Sequence, residues 1–492
     1  MSSVTLNREN LKKLIEPHFF NDLFDTSYKL EKIKSSKLLT YNRFDLSFKL
    51  LFLKMIEKDD NFSMDIYREH IKAFSLGEFN EPGNAMKISF DDYQKTFVNI
   101  FYDIRKNGFD NNLSVIPLSK NGSIANGSHR VACSIILDKE IDCVRIDTPD
   151  HLYDFNFFRE RGVSKTVMDA AACEFVKNSK NIYLAIIWPS AGGKDNQINQ
   201  IIKNIVYEKR VTLNKNGAHN LLSQIYYGED WIGSLEDNFK GSYGKLIECF
   251  KVLGPIRFIA FQSENIREVR EIKDKIRSLF NIGKHSIHIT DNHTESLRIS
   301  RIAFNENSIH FLNYAKPSKY LSTHQKIKEY KSFLDKNDIS FDDAILDSGI
   351  ILSLYGLREA QDIDFLINDN ENLKIQNDLI DMHDEVLKYY KHNKINLIYD
   401  QRHYFYFNDI KFVSFSDLYQ MKRNRNEIKD KNDSKLMEAL MENNLFKENY
   451  SRLIQNFFYG KIKLRHNVLK ALKYLGLYNL LKRVYKSFGL EK

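Results

Sequence analysis

The chain has 492 residues, of which 42% are hydrophobic and 28% charged, with 7 Pro and 20 Gly. This composition excludes disordered and collagen-like chains, and the length corresponds to about three to four domains of ordinary size. Its four cysteines form no Cys-x-x-Cys pair, which disfavours a disulfide framework and a cysteine zinc cluster and fits a reducing cytosol. No stretch of about 18 apolar residues occurs, and the first twenty residues lack the apolar core of a signal peptide, so we expect a cytoplasmic protein.

The net charge of +8 is concentrated near one end of the chain. Residues 450–492 contain ten Lys and Arg against one acidic residue, which leaves 63 basic and 64 acidic residues for the rest. A neutral body argues against a protein built around nucleic acid, because binding to the phosphate backbone relies on many Lys and Arg contacts. We therefore do not expect nucleic acid as a partner.

Hydrophobic periodicity and turn residues predict a multidomain chain of α/β and α+β units. The first boundary is placed at a Pro-Gly break near residue 82. The predicted segments are a helical N-terminal region (1–84), a strand-turn-helix-strand unit (85–150), a helical connector (151–180), an alternating α/β unit (181–320), a further α+β unit (325–445) and a basic helical tail (446–492).

In the second unit, a Gly/Asn turn joins a predicted strand, SVIPL, to a predicted helix that starts near SHRVACSII. Gly127 precedes this helix, Ser128 is placed to cap it, and His129 and Arg130 flank its first turn. Glycines before a helix start with free backbone N–H groups form a phosphate cradle.

This segment resembles the ParB/sulfiredoxin superfamily, in which a Gly-x-His-Arg or similar box at a helix start binds nucleotide phosphates. The superfamily includes DNA-partition CTPases, sulfiredoxin and kinases of free serine. The resemblance implies that Gly127, Ser128, His129 and Arg130 bind phosphate, with Arg130 also a catalytic candidate. The alternative is that Gly127 is only a turn residue and Arg130 only a salt-bridging one.

The unit from about Asn181 to Pro317 resembles the nucleoside diphosphate kinases, whose fold is a ferredoxin-like sandwich. His288 lies where the family has its phosphohistidine loop, and Arg277 matches an arginine of the family. A neutral, exposed histidine attacks a γ-phosphate while nearby cations hold the charge, so His288 is a catalytic candidate. The chain departs from the family at Trp188, in place of a lysine, and the alternative is that His288 packs or contacts substrate in a degenerate domain.

The unit at 325–445, called the fourth unit below, contains AILDSGIILSLYGLREAQDIDFLIN. This pattern predicts a helix followed by an alternating strand in which Asp362 and Asp364 share one face. Two carboxylates so close repel each other unless a cation lies between them. Mg²⁺ (or Mn²⁺) is the expected partner, because it binds through one or two carboxylates together with substrate phosphates. Ser348 and Gly349 begin the predicted helix, whose N–H groups would bind the β- and γ-phosphates of a nucleoside triphosphate.

This pattern resembles the polymerase β-like nucleotidyltransferases, which have a Gly/Ser turn, a helix and then Asp-x-Asp on a strand. Here twelve residues separate Gly349 from Asp362, and Arg358 precedes the two aspartates as in minimal members of the superfamily. The resemblance implies that the aspartates bind metal and that Arg358 and Lys422 bind phosphate. It also implies a third catalytic carboxylate from a later strand, for which Asp400, at the end of KINLIYD, is the candidate.

Each of these residues has a plainer interpretation. Asp362 and Asp364 are alternatively a solvated strand end beside a turn. Arg358 alternatively pairs with a neighbouring aspartate. Lys422 and Lys429 alternatively belong to a basic helix face in contact with water.

The tail is predicted to form a basic amphipathic helix, with four apolar residues near one face and lysines around the rest. Such helices lie in membrane interfaces, and tails of this composition are similar to those of bacterial surface-polysaccharide enzymes. We therefore expect peripheral contact with the inner face of the membrane through residues 450–492. The alternative is a core-packing helix pair. The four apolar residues are Leu464, Val468, Leu472 and Leu475.

Together these patterns predict an enzyme that uses a nucleoside triphosphate to transfer a nucleotidyl or phosphoryl group to a small-molecule or sugar acceptor. The expected setting is bacterial cell-surface polysaccharide biosynthesis. One alternative is a non-catalytic nucleotide-binding scaffold or sensor. Another is a ParB-like, CTP-dependent protein associated with DNA, which the neutral body disfavours.

Overall fold

The computed structural model describes residues 5–442 except 59–60, 81–86, 253 and 369–378, and only scattered residues beyond 442. The described part is a mixed α/β protein with three small sheets. Its strands are β1 (Thr5–Asn7), β2 (Ser27–Lys34), β3 (Ile116–Leu118), β4 (Glu140–Arg145), β5 (Ile182–Ile187), β6 (Ile205–Val211), β7 (Ile256–Gln262), β8 (Ile287–Ile289), β9 (Ala344–Asp347), β10 (Ile363–Ile367), β11 (Ile380–Met382), β12 (Tyr404–Phe407) and β13 (Ile410–Val413). Its α-helices are α1 (Arg8–Lys12), α2 (Asp45–Met55), α3 (Asn61–Phe74), α4 (Phe90–Asn107), α5 (Ser128–Ile136), α6 (Phe155–Glu160), α7 (Lys165–Asn178), α8 (Asp195–Ile201), α9 (Lys215–Ile225), α10 (Ser242–Cys249), α11 (Ile266–Phe280), α12 (His293–Ala303), α13 (Glu306–Tyr314), α14 (Leu321–Lys336), α15 (Gly349–Leu354), α16 (Lys394–Tyr399), α17 (Phe415–Arg425) and α18 (Ile428–Met441).

The first sheet has the strand order β1-β2-β4-β3, with β3 parallel to β4 and α5 as the crossover between them. Its strand β2 pairs antiparallel with β4, more than 100 residues later along the chain. The prediction of a wholly helical N-terminal region is therefore wrong for β1 and β2. The physical reason is that β2 forms by pairing its backbone with the open edge of β4. Local periodicity in the N-terminal sequence does not reveal a partner strand so far along the chain.

The second sheet has the strand order β6-β7-β5-β8, and all neighbouring strands are antiparallel. Helix α8 connects β5 to β6, and α11 connects β7 to β8. Both faces of β5 are covered, because Leu184 and Ile186 belong to one core cluster and Ala185 and Ile187 to another. A continuous apolar strand is what such two-sided burial requires.

The third sheet has the strand order β11-β10-β9-β13-β12 and is mixed. Strand β10 is antiparallel to β9 and parallel to β11, and α15 lies between β9 and β10 in the chain. Residues 394–399, predicted as a strand, form helix α16. The helix begins where the Asn393 side chain accepts a hydrogen bond from the Asn396 N–H at 2.8 Å, an N-cap that the apolar run INLIY conceals.

The cores do not follow all of the predicted boundaries. One cluster of buried residues extends from Leu38 to Leu312 and includes the N-terminal helices, the second unit and one face of the second sheet. A separate cluster begins at Phe311 and ends at Met437. The predicted break at Pro82 and Gly83 lies outside the described residues, and the elements on either side of it share one core.

Within the part of the chain that the structure describes, no helix is both long enough and apolar enough to cross a bilayer. Most of the predicted tail, 446–492, lies outside the described residues. Of its four apolar residues, Leu464, Val468 and Leu472 are helical, and Leu464, Val468 and Leu475 are exposed. Contact of this segment with a membrane stays a prediction.

A buried ion cluster joins α2 to the segment that precedes it. Arg43 Nε and Nη2 donate to the two carboxylate oxygens of Asp45 at 2.8 and 2.9 Å, and Lys49 Nζ donates to the same carboxylate at 2.8 Å. At most 3% of each side chain is exposed. Although burial disfavours the carboxylate, the two cations hold the pKa of Asp45 well below its usual range.

We expect Asp45→Asn to lower the free energy of unfolding by about 3–5 kcal/mol, because it leaves two buried cations without their counter-charge. Urea denaturation at neutral pH measures the loss. The control is Glu57→Gln, which removes an exposed ion pair with Arg105 and is expected to cost about 1 kcal/mol or less. Equal losses in the two variants would contradict this account of the cluster.

Candidate functional site

The turn between β9 and α15 brings two of the predicted residues together. Ser348 has φ 60°, a positive value that is uncommon outside glycine, and Gly349 follows as the first residue of α15. A Cβ added at Gly349 would lie 3.5 Å from Arg358 Nη1 and 3.8 Å from Asp362 Oδ1. The guanidinium and one of the two predicted metal-binding carboxylates therefore lie directly over this turn, in space that any larger residue at 349 would restrict.

A row of aspartates crosses three neighbouring strands of the third sheet. Asp364 in β10 is the register partner of Asp347 in β9 and of Asp381 in β11. Register partners share a face of the sheet, where directly opposed like charges are destabilising. Asp362, two residues before Asp364, adds a fourth carboxylate next to this row. Burial, with the charges of Asp362 and Asp347 added to it, raises the pKa of Asp364 to about 6.

Asp347 is the most completely bonded member of the row. It is fully buried and accepts hydrogen bonds from the Ser348 N–H at 2.6 Å and from the Tyr390 hydroxyl. His383 Nδ1 lies 3.1 Å from its other oxygen. Burial favours the neutral imidazole, but the hydrogen bond to Asp347 and the charges of Asp347 and Asp364 outweigh it and raise the pKa of His383. The carboxylates beside His383 therefore favour its protonated form.

Arg358 and Lys422 lie in a buried ion network. Arg358 Nε and Nη2 donate to the two oxygens of Asp433 at 2.7 and 3.0 Å. Lys422 Nζ lies 2.8 Å from Asp433 and 3.3 Å from Asp430. This departs from the predicted phosphate contacts, because α18 presents its aspartates to both cations. The network ties the loop before β10 to α17 and α18, whereas Lys429 is exposed, as in the plainer interpretation.

Asp400 is not part of the aspartate row. It directly follows α16, is fully buried, and accepts hydrogen bonds from Arg402 Nε at 3.0 and 2.8 Å. The predicted third carboxylate on a later strand therefore departs from the structure, because the segment before Asp400 is helical. Asp347 and Asp381 are instead the carboxylates that neighbouring strands place beside Asp364.

In the second unit, Gly127 caps α5 with φ 86°, and Ser128 is the first helical residue, so the predicted cap is one residue too late. Only glycine adopts this left-handed conformation without strain. Arg130 Nη2 lies 3.2 Å from Glu16 Oε1, and the pair is partly buried. Arg130, which was predicted to bind phosphate, thus forms an ion pair with a carboxylate of its own chain, as in the salt-bridge alternative.

His129 points away from any phosphate position and into the helical core. Its Nε2 lies 2.9 Å from the Tyr67 hydroxyl, and its ring lies edge-on to Phe97 with the centroids 4.6 Å apart. Burial lowers the pKa of His129 well below its usual range. A neutral histidine packed among aromatic rings is suited to stabilise the core, which departs from the predicted phosphate contact.

His288 lies in strand β8, where a loop had been predicted, and lines an open cavity of about 720 Å³. Its Nε2 lies 2.9 Å from Glu295 Oε1 and its Nδ1 lies 3.4 Å from the Tyr226 hydroxyl. Lys273 and Arg298 line the same cavity. Both ring nitrogens have partners, so His288 would have to break one of these two contacts before it could attack a phosphate. Contact with a substrate in the cavity needs no such change.

Sequence reasoning missed Asp347, Asp381, His383 and the ion partner Asp433. The signal for Asp347 was present, since an acidic residue directly before a Ser-Gly turn ends a buried apolar run. The positions of Asp381 and His383 depend on how β11 pairs with β10, which no local pattern fixes.

Comparison of the chain with protein-family models, with curated proteins and with solved structures finds no match. The case for a function rests on the residues and contacts described above.

We expect Asp364→Asn to raise the free energy of unfolding by about 1–3 kcal/mol at pH 7.5 in metal-free buffer. The folded-state pKa of Asp364, about 6, lies above its ordinary value of 3.8, so its contribution destabilises the fold as the pH rises between these values. The gain should shrink towards zero at about pH 3, below the ordinary pKa of 3.8, where the carboxyl is mostly protonated in both states. Denaturant titrations at the two pH values, with exposed Asp335→Asn as the control, measure the difference. A gain of the same size at both pH values would contradict the charge argument.

Proposed function

We propose that this chain is a metal-dependent nucleotidyltransferase that moves the nucleotidyl group of a nucleoside triphosphate to a small-molecule or sugar acceptor. The observation that carries the proposal is the concentration of carboxylates around Asp364, on the face that also holds Asp362 beside Gly349. Carboxylates packed this closely raise the free energy of the folded chain. A cluster of this kind suits cation binding, because a bound cation removes the repulsion.

The donor set fits Mg²⁺ (or Mn²⁺), because it consists of hard carboxylate oxygens. Asp362, which is exposed, and Asp364, which is partly buried, would hold the ion. A cation held there would neutralise the charge that develops on the triphosphate during transfer. The Arg358–Asp433 pair keeps the loop that carries Asp362 in place, which is a positioning role.

In the proposed transfer, an oxygen of the acceptor forms a bond to the α-phosphorus, and the bond from that phosphorus to the bridging oxygen of the β-phosphate breaks. Pyrophosphate leaves with the electron pair of that bond. When the acceptor oxygen belongs to a hydroxyl, its proton passes to a base. We propose His383 as that base: a cation bound at Asp362 and Asp364 would offset the acidic row and favour the neutral imidazole, whose Nδ1 is hydrogen-bonded to Asp347.

The resemblances of the second unit to the ParB/sulfiredoxin superfamily and of residues 181–320 to the nucleoside diphosphate kinases support roles in substrate binding within the same proposal. The strand order and antiparallel pairing of the second sheet are compatible with a ferredoxin-like sandwich that has α9 and α10 added between β6 and β7, which supports the kinase-like interpretation of residues 181–320. The partners of His288, His129 and Arg130 favour contact with substrate or structural roles over phosphoryl transfer. An acceptor from bacterial cell-surface polysaccharide synthesis remains the proposed class, on the resemblance of the tail.

We expect the purified protein to release pyrophosphate from at least one triphosphate in the presence of Mg²⁺ and a sugar or sugar phosphate. Asp362→Asn and Asp364→Asn should each lower the rate about 100-fold or more, because the phosphate charge is no longer neutralised. His383→Gln should lower it about 100-fold with hydroxyl acceptors and less with phosphorylated ones, which carry no proton to remove. Transfer of an α-³²P label to acceptor measures the rate, with Asp335→Asn as the matched carboxylate control.

Two outcomes would overturn the proposal. Saturable triphosphate binding without turnover for any acceptor would favour the nucleotide-binding scaffold or sensor. Loss of transfer in Arg130→Ala, with Asp364→Asn still active, would place the chemistry in the second unit.

A further inference from the structure

Two histidines and an aspartate from three different segments meet beside the third sheet. His403 directly precedes β12, Asp417 lies in the first turn of α17, and His392 lies shortly before α16. One ligand atom from each of these residues lies within 4.8 Å of the others. The proposed nucleotidyl transfer uses none of the three.

Their polar atoms face a common point. His403 Nδ1 lies 3.0 Å from Asp417 Oδ2, and His392 Nε2 lies 3.9 Å from Asp417 Oδ1. The two imidazole rings are nearly stacked, with centroids 3.8 Å apart and an interplanar angle of 32°. The Ser414 hydroxyl donates to Asp417 at 2.5 Å and holds this carboxylate in place.

The second nitrogen of His403 also faces a carboxylate. His403 Nε2 lies 3.5 Å from Oδ2 of Asp400, which is fully buried and fixed by Arg402. A neutral imidazole has one N–H, so when that proton points to Asp400 the other nitrogen presents a lone pair to the Asp417 carboxylate. In the other tautomer Nδ1 donates to Asp417 instead, and a metal ion would take the place of that proton between Nδ1 and the carboxylate. Metal-bound histidines commonly have such a carboxylate behind them.

We propose that His392, His403 and Asp417 bind a divalent transition-metal ion, foremost Zn²⁺, with Asp400 orienting His403. Imidazole nitrogen with one carboxylate suits Zn²⁺, whereas Mg²⁺ prefers the all-oxygen aspartate row. Three protein ligands leave a fourth position for water or another ligand. The site is reachable from solvent, because 37% of the His392 side chain is exposed.

A metal ion here would tie together three segments, two of which are already joined by the pairing of β12 with β13. The Ser414 N–H donates to the His403 carbonyl at 2.7 Å, which links the end of β13 to the start of β12. Tyr390, two residues before His392, donates to Asp347. The ion would therefore also fix the segment that supports the aspartate row, without contacting that row.

The test uses the full chain, stripped of metal with a chelator and titrated with Zn²⁺ by calorimetry and with Co²⁺ by visible absorption. A weak competing chelator suppresses binding by scattered surface histidines. We expect one tight equivalent of Zn²⁺ per chain and the intense Co²⁺ absorption of a four-coordinate site. The double variant His392→Gln/His403→Gln should bind about 100-fold more weakly or not at all, and Asp400→Asn about 10- to 100-fold more weakly.

Two controls separate this site from the rest of the protein. His383→Gln and Asp364→Asn alter the aspartate row and should leave the tight Zn²⁺ equivalent unchanged. His392→Gln changes a partly exposed residue, so an unaltered near-UV circular dichroism spectrum with weakened Zn²⁺ binding would separate lost ligation from misfolding.

Tight binding of equal strength in the wild type and the double variant would overturn the proposal, because other groups would then hold the ion. The absence of a tight equivalent in the wild type would also overturn it. In that case the contact between His403 and Asp417 is only a hydrogen bond.

Discussion

The repulsion between carboxylates on β9, β10 and β11 is the constraint around which the fourth unit is arranged. Asp364 has an aspartate on each neighbouring strand. Hydrogen bonds from the surrounding groups reduce this repulsion in part. Tyr390 and His383 bond to Asp347, and the Ser348 side chain hydrogen-bonds Asp364. Asp362 lies next to this row, beside the Gly349 turn, which is the reason that we propose the metal site there.

A second network, made of buried ion pairs, lies around the loop before β10. Arg358, Lys422 and Asp433 form ion pairs in which at most 9% of any side chain is exposed. Such pairs add little net stability compared with apolar packing, but breaking one leaves a buried charge and is costly. They therefore hold the loop before β10 in one arrangement. Rigid support of this kind is what a site that aligns two reactants needs.

The elements around this site could be predicted because their signals are local. Gly356 ends the helix, and the alternation in DIDFLI predicts Asp362 and Asp364 on one face, although β10 itself begins at Ile363. The partners could not be predicted, since Asp433 lies 75 residues from Arg358 and the β10–β11 register depends on tertiary pairing. The apolar residues of 394–399 fit the spacing of a helix and of a strand equally well. The Asn393 cap favours the helix that forms, in place of the predicted strand.

The pairing of β2 with β4 has a consequence for how the chain reaches its fold. Helices α2, α3 and α4 lie between these strands in the chain, so the antiparallel ladder closes a loop of about a hundred residues. Contacts this distant along the chain form late and slow the folding of a domain. During synthesis, β2 leaves the ribosome long before its partner, and its unpaired backbone must wait for residues 140–145. Cutting the chain near residue 84 would separate the two strands and leave an open edge on each fragment, which is a template for aggregation.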